Sequence, residues 1–367
     1  MYRILFMPFL QIPSGHHQVA DTIKNQLHQS SNDYNCEKVE ILSHCYGKVE
    51  TFTSSIYLKC IYKLPGVYSK IYKAVVKGKQ SKKRYYIYEV LFLKKIRDLI
   101  KQIKPDVIIC THALPSYLLN HLKKENLWSG PVINVYTDYF INDLWGVEHI
   151  NYHFVPSLHI KQKLVMQGIK PDQIFVTGIP IDSVFRKEKK TSRSNDQLNI
   201  LISGGNMGAG SIQQLLQTLN PSGSIQYKVL CGKNEILFQY IERLNNPQIK
   251  PLPYLSSKEK MNQLYDEADA IISKPGGVTI TECLSKRLPI FVCEALPGQE
   301  EFNLSYLKSQ GLIFHLDNWN SSSNVEDRIT DILMNGLSDF NERLEEFDKY
   351  LEKNDTSKII EKILMSL

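Results

Sequence analysis

The sequence predicts an α/β protein built from two Rossmann-like, doubly wound domains, and three observations carry that prediction. Short, nearly continuous apolar runs recur along the 367 residues, helical patterns separate them, and one polar, aperiodic segment divides them into two series. Strands covered on both faces read as unbroken apolar runs, and parallel pairing requires crossover helices between them. The length also exceeds one ordinary core, so two domains are expected.

The first run, Tyr2 to Met7 (YRILFM), carries one charge and lacks both a basic leader and a small-residue cleavage site. It reads as a buried strand and not as a signal peptide. A helical pattern spans His17 to His28, and the next strand is expected at Lys38 to Leu42 (KVEIL). Further strands are expected at Asp106 to Cys110 (DVIIC), Val132 to Tyr136 (VINVY), Tyr152 to Pro156 (YHFVP) and Ile174 to Gly178 (IFVTG). Helical patterns at Tyr85 to Ile103 and Ser157 to Gln167 fall between them. Residues 186–197 (RKEKKTSRSNDQ) are polar throughout and form the expected linker. The second series comprises Asn199 to Ser203 (NILIS), Tyr227 to Gly232 (YKVLCG), Ala270 to Lys274 (AIISK), Pro289 to Cys293 (PIFVC) and Leu312 to Leu316 (LIFHL). The expected division is therefore a first domain over 1–185, the linker 186–197, and a second domain over 198–335. Terminal helices over 336–367 are expected to pack back toward the first domain.

Composition narrows the class. Hydrophobic residues at 43% and charged residues at 22% belong to a soluble globular chain, and no run reaches the ~18–20 apolar residues of a membrane span. Seven cysteines, an odd number without a C-x-x-C pair, support neither a disulfide framework nor a zinc site. Several sit inside apolar runs, as reduced thiols of a cytoplasmic protein do. The net charge of +6 is uneven. From Ile56 to Lys104 stand fourteen Lys/Arg against two Asp/Glu, so this stretch carries +12 and the remainder −6.

In a doubly wound fold, ligands bind at the carboxyl ends of the strands. Those ends are rich in polar and glycine-bearing loops. Gly15-His16 opens a helix after the first strand, Thr111-His112 follows DVIIC, and Thr137-Asp138 follows VINVY. In the second series NILIS runs into Gly204-Gly205-Asn206-Met207-Gly208, and AIIS into Lys274-Pro275-Gly276-Gly277-Val278-Thr279. Two glycines between a strand and a helix expose helix N–H groups and suit a phosphate. A second account reads Thr279 to Glu282 as a capping box that only ties up those N–H groups. The glycine spacing after Ser203 matches neither G-x-G-x-x-G nor the Walker A motif, so nicotinamide and P-loop chemistry fit poorly.

SGGNMGAG, VLCGKN, SKPGGVTITECL and PGQEEFN stand in the order seen in bacterial processive diacylglycerol glucosyltransferases and plant monogalactosyldiacylglycerol synthases. SGHHQVADTI near the N-terminus resembles that family's Gly-His segment, and the likeness runs from about Ile4 to Gly311. The approach to His16 is less glycine-rich than is usual in the family. The resemblance implies two Rossmann-like domains facing a cleft (GT-B architecture). It further implies inverting transfer of a hexose, with glucose expected, from a UDP-sugar to diacylglycerol or a glycosyl-diacylglycerol. No further cofactor is implied, and no D-x-D metal motif is visible.

Residue by residue, the resemblance implies that Gly276 and Gly277 meet the diphosphate, with Thr279 beside them and Gly204, Gly205, Asn206 and Met207 facing it. Tyr254 and Leu255 lie near the segment that contacts the base, and Glu282 would accept hydrogen bonds from the ribose hydroxyls. Gln299, Glu300 and Asn303 carry groups suited to sugar hydroxyls. His16 is the expected general base, since an imidazole pKa near 6.5 suits accepting a hydroxyl proton at neutral pH. Asp138 would orient it or meet the acceptor, and His112 is expected to be structural or at the cleft edge.

Seven tyrosines accompany the basic stretch 56–104, a composition that fits an anionic bilayer surface. Nucleic acid fits that composition equally. The resemblance, whose acceptor is a lipid, favours the membrane, with no nucleic acid partner and a peripheral place on the inner face of the cell membrane. The competing readings are a transferase of the same fold with another hydrophobic acceptor, a UDP-sugar 2-epimerase, and a non-catalytic nucleotide-sugar sensor.

Overall fold

A computed structural model describes residues 1–9, 14–31, 33–47, 84–186, 197–205, 212–219, 224–296, 298–320 and 325–366. The expected linker falls mostly outside these, as do Asn206, Met207 and the Ile56–Lys83 part of the basic stretch. The chain divides into two compact units. One contains Met1–Pro180 together with Tyr350–Leu367, and the other Ile181–Lys349.

In the first unit the order is β1 (Tyr2–Met7), α1 (Gly15–Ser30), β2 (Tyr34–Lys38), α2 (Ile41–Tyr46), α3 (Tyr86–Ile103), β3 (Val107–Cys110) and α4 (Ala113–Lys124). It continues with β4 (Val132–Val135), β5 (Tyr152–Phe154), α5 (Leu158–Met166) and β6 (Ile174–Phe175). The sheet order is β2-β1-β3-β4-β5-β6, and every pairing is parallel. The chain's last helix, Thr356–Met365, packs on α1 in this unit.

The second unit runs β7 (Leu198–Ser203), α6 (Ile212–Thr218), β8 (Ile225–Leu230), α7 (Glu235–Leu244), β9 (Ile249–Leu252) and α8 (Lys258–Glu267). It continues β10 (Ala270–Ser273), α9 (Gly277–Ser285), β11 (Ile290–Val292), α10 (Gln299–Ser309), β12 (Phe314–His315), α11 (Val325–Asn335) and α12 (Leu337–Lys349). Its sheet, β12-β11-β10-β7-β8-β9, is also wholly parallel.

β1, β3, β4, β7 and β10 are the mostly apolar runs, and their aliphatic side chains are buried throughout. Two edge strands depart from expectation. The strand expected at Lys38 to Leu42 ends at Lys38, and Ile41 instead opens a short helix. β2 buries alternate residues because it is an edge strand with one face exposed. β9, at the other sheet's edge, contains Pro251, which an interior strand would reject and an edge strand tolerates.

The sheet orders fix where the loops gather. β1 has β2 on one side and β3 on the other, so the chain reverses direction of winding between β1 and β3. The same reversal separates β7 and β10. Such switch points open a crevice at the carboxyl ends of the two strands. Met7 pairs with Cys110 and Ser203 with Ser273, so the loops leave each pair of strands at the same level.

Candidate functional site

The switch point of the first unit holds His16, on the first turn of α1. Its Nδ1 lies 2.7 Å from the carbonyl oxygen of Thr111, at the end of β3, and 2.8 Å from the hydroxyl of Thr137, at the end of β4. A carbonyl oxygen only accepts, so the Thr111 contact requires the proton on Nδ1. Nε2 is then left with its lone pair, the form that a general base needs. Burial holds the His16 pKa below 6.5, against the opposing pull of the Asp138 charge and the Thr111 carbonyl. The ring is therefore neutral at pH 7. Asp138 sits half-buried in the bend after β4.

Its neighbours have other roles. His112 caps α4, its Nδ1 accepting the Leu114 N–H at 3.2 Å. Its ring stands edge-on to His16 at 4.9 Å and stacks on Phe9. Burial, with His16 beside it, holds its pKa well below the usual value, as a neutral cap requires. His17 is buried and faces Glu40 at 3.8 Å.

The switch point of the second unit gathers the glycines. α9 starts at Gly277 with Gly276 as its cap, and no side chain supplies the capping bond. Thr279 is thus the third helical residue, and the capping box over Thr279 to Glu282 does not form. The helix instead begins two residues before Thr279, directly after Pro275 and Gly276. Gly276 has an ordinary φ of −80°, and a Cβ built on it would meet nothing within 4 Å. Nothing in the protein's own packing demands glycine there. Opposite it, Gly204 and Gly205 follow β7; Gly205 has a φ of +73°, which does call for glycine, and its N–H donates to the Ser203 hydroxyl.

Glu282, on the second turn of α9, accepts the Tyr265 hydroxyl at 3.0 Å. Burial pushes its carboxyl up to about 7, although the Tyr265 bond and the Lys258 charge both favour the ionised form. Lys258 is itself held by Asp182 at 2.7 Å, and Tyr265 is buried against Phe185. Tyr254 and Leu255 follow β9 at the same carboxyl edge. The Tyr254 ring is 43% exposed, with the Lys233 ammonium 5.3 Å from its centre.

The segment after β11 braces the glycine turn. Gly298 takes a φ of +94°, and the Glu301 carboxylate accepts its N–H. Glu300 pairs with Lys274 at 3.2 Å through one oxygen and accepts the Leu296 N–H through the other. Asn303 is fully buried and donates its amide to the Pro275 carbonyl at 3.0 Å. Gln299 makes no side-chain hydrogen bond among the described residues. Sequence reasoning placed all three toward a sugar; the structure ties Glu300 and Asn303 to the turn that presents Gly276. It also missed Thr111, Thr137 and Tyr265 as partners of His16 and Glu282. The strand-end positions of the two threonines were the available signal.

Comparison with known proteins agrees with this layout. Residues 16–181 match the family model described as monogalactosyldiacylglycerol (MGDG) synthase, and residues 199–362 match the glycosyltransferase family 28 C-terminal domain. An uncharacterized glycosyltransferase of Bacillus subtilis, YkoN, is 45% identical over 355 residues, covering 96% of this chain and 92% of that one. A processive diacylglycerol beta-glucosyltransferase of Bacillus licheniformis is 30% identical over 313 residues, covering 81% and 79%. The crystal structure of Acinetobacter baumannii MurG superposes with a TM-score of 0.66 at 15% identity, covering 100% of both chains, a likeness of fold.

Proposed function

The chain belongs to the glycosyltransferase family that unites monogalactosyldiacylglycerol synthases with processive diacylglycerol glucosyltransferases, and from that premise we propose that it transfers a hexose from a UDP-sugar to diacylglycerol with inversion. The observation that carries the chemistry is the His16 contact at 2.7 Å with the Thr111 carbonyl, which leaves Nε2 as the acceptor of a proton. The acceptor hydroxyl gives its proton to that nitrogen, and its oxygen forms the new bond to the anomeric carbon. The bond from that carbon to the diphosphate oxygen breaks, and UDP departs with the electron pair. The N–H groups at the start of α9 take up the charge that develops on the leaving oxygen. The imidazolium then releases its proton to water.

In this reading Glu282 holds the ribose, Tyr254 and Leu255 lie beside the base, and Thr279 lines the phosphate end of α9. Gly204, Gly205, Asn206 and Met207 close the diphosphate from the facing loop. Gln299 reaches the sugar, while Glu300 and Asn303 set the turn. Asp138 favours the protonated imidazole during transfer. Glucose as the sugar and diacylglycerol as the acceptor draw support from the relatives named for both.

The same proposal places the protein on the inner face of the cell membrane through its basic stretch. Among the described residues, no helix is long and apolar enough to cross a membrane. Where the stretch enters the described residues, the start of α3 exposes Tyr86, Ile87 and Val90, a mixture suited to an interface. Incubation with diacylglycerol vesicles and either UDP-glucose or UDP-galactose, followed by mass spectrometry of the lipids, tests the whole reading. A hexosyl-diacylglycerol is expected; an isomerised UDP-sugar, or no glycolipid with either donor, would refute it.

A further inference from the structure

A cavity of about 330 Å³ opens in the first unit between the C-terminal halves of α3 and α4. It lies at the amino edge of the sheet, because Pro105 precedes β3 and Trp128 precedes β4. His16, Thr111 and Thr137 all follow strands at the opposite edge, so the cavity is no part of the site described above.

Its lining is of two kinds. Arg97, Lys101 and Lys104 contribute three cations, and no acidic side chain lines it. Ile100, Leu122, Leu127 and Trp128 supply an apolar wall. Lysines in the last turn of a helix have an ordinary reason to be there, since they complement the helix dipole. Arg97 stands further back, and it makes no hydrogen bond or ion pair among the described residues. Its Nε and the Trp128 Nε1 are both shut off from solvent without an acceptor. Buried N–H groups left in this way destabilise the protein, and the ligand-facing charge of the cavity is that of its three cationic side chains.

The walls are preformed. A Cβ on Gly130 would fall 2.2 Å from the Trp128 ring, so glycine at that position lets the indole lie flat. Lys123 fixes the same loop by donating to the Gly130 carbonyl at 2.7 Å. A volume of about 330 Å³ stands at the low end of the range of small-molecule sites, about 300–1,000 Å³. That suits a small head group with one short chain.

We propose that this cavity binds a free, single-chain amphiphilic anion, with a phosphate or carboxylate head among Arg97, Lys101 and Lys104 and its tail against Leu122, Leu127 and Trp128. Calorimetric titration of the full chain with octyl phosphate, kept below micelle formation, tests it. Saturable binding at one site is expected, and Arg97→Gln with Lys101→Gln should weaken it by about tenfold or more, the loss of two charge-assisted contacts. Leu127→Glu, a change at an exposed position on the rim, should abolish binding without disturbing the fold. UDP binding should be unaffected by either variant. Inorganic phosphate and the uncharged octyl glucoside should each bind at least about tenfold more weakly than octyl phosphate. Equal binding of either control, or wild-type affinity in Leu127→Glu, would overturn the proposal.

Discussion

Donor binding should be coupled to the ionisation of Glu282. Two ribose hydroxyls that both donate need an acceptor with no proton of its own, so the bound form requires the carboxylate. In the unliganded protein burial pushes that carboxyl up to about 7. Binding must then remove a proton from the protonated fraction, and the apparent dissociation constant scales with one plus ten raised to the difference between pKa and pH. Between pH 8 and pH 6 the affinity for UDP-glucose should fall about tenfold, and at pH 6.5 binding should release about three-quarters of a proton. UDP-glucose is the right ligand because its diphosphate has no group titrating in this range. Titration calorimetry in two buffers of different ionisation enthalpy reads both quantities. Glu282→Gln should flatten the profile and weaken binding by about tenfold at pH 8. The sign for folding is the reverse. A carboxyl raised from 4.5 contributes stability that is present below about 4.5 and lost as pH rises through about 7. The unliganded Glu282→Gln protein should therefore melt higher than wild type at pH 8, with the difference closing as pH falls to about 4. A flat affinity profile with no proton exchange would refute the ribose role and the reasoning behind it.

Tyr265→Phe removes the hydroxyl that favours the Glu282 carboxylate, so the midpoint of that pH profile should move up; an unmoved midpoint would show the bond is idle. Gly276→Ala should leave the thermal melt within about 1 kcal/mol of wild type, since its Cβ meets nothing, yet weaken UDP binding markedly. His16→Ala should slow transfer by about 10²–10⁴-fold with UDP affinity unchanged, and a loss below tenfold would assign the base elsewhere. Lys82→Gln with Lys83→Gln should weaken binding to phosphatidylglycerol vesicles by about 1 kcal/mol per charge at low salt, with the difference shrinking as salt rises. Arg84 is left out of that variant because it is paired at 2.9 Å with the buried Glu89, which Tyr117 also bonds.

The parts of this protein that were legible in its sequence are those in which one residue's environment is set by its near neighbours. A strand covered on both faces must be apolar throughout, so β1, β3, β7 and β10 announce themselves. β2 and β9 lie at sheet edges, where one face is wet or a proline is tolerated, and that signal dissolves. Gly276 and Gly277 stood out because a strand, two glycines and a helix are contiguous. The start of α9 is less legible, because a threonine followed three residues later by a glutamate looks like a cap and a bare glycine does not, which leaves two accounts open in the sequence. The tautomer of His16 could not have been read at all. It is decided by Thr111 and Thr137, 95 and 121 residues away, which only the parallel order of β1, β3 and β4 brings to one edge. The same holds for Tyr265 against Glu282 and for Asn303 against Pro275. In each case the residue proposed to act is visible in a local motif, and the residue that sets its protonation or orientation is supplied by the fold. A local motif is therefore enough to point to His16, Gly276 and Glu282 in this chain. The neutral ring of His16 and the raised carboxyl of Glu282, on which their proposed roles rest, are set by burial and by contacts with Thr111, Thr137 and Tyr265 that no local motif displays.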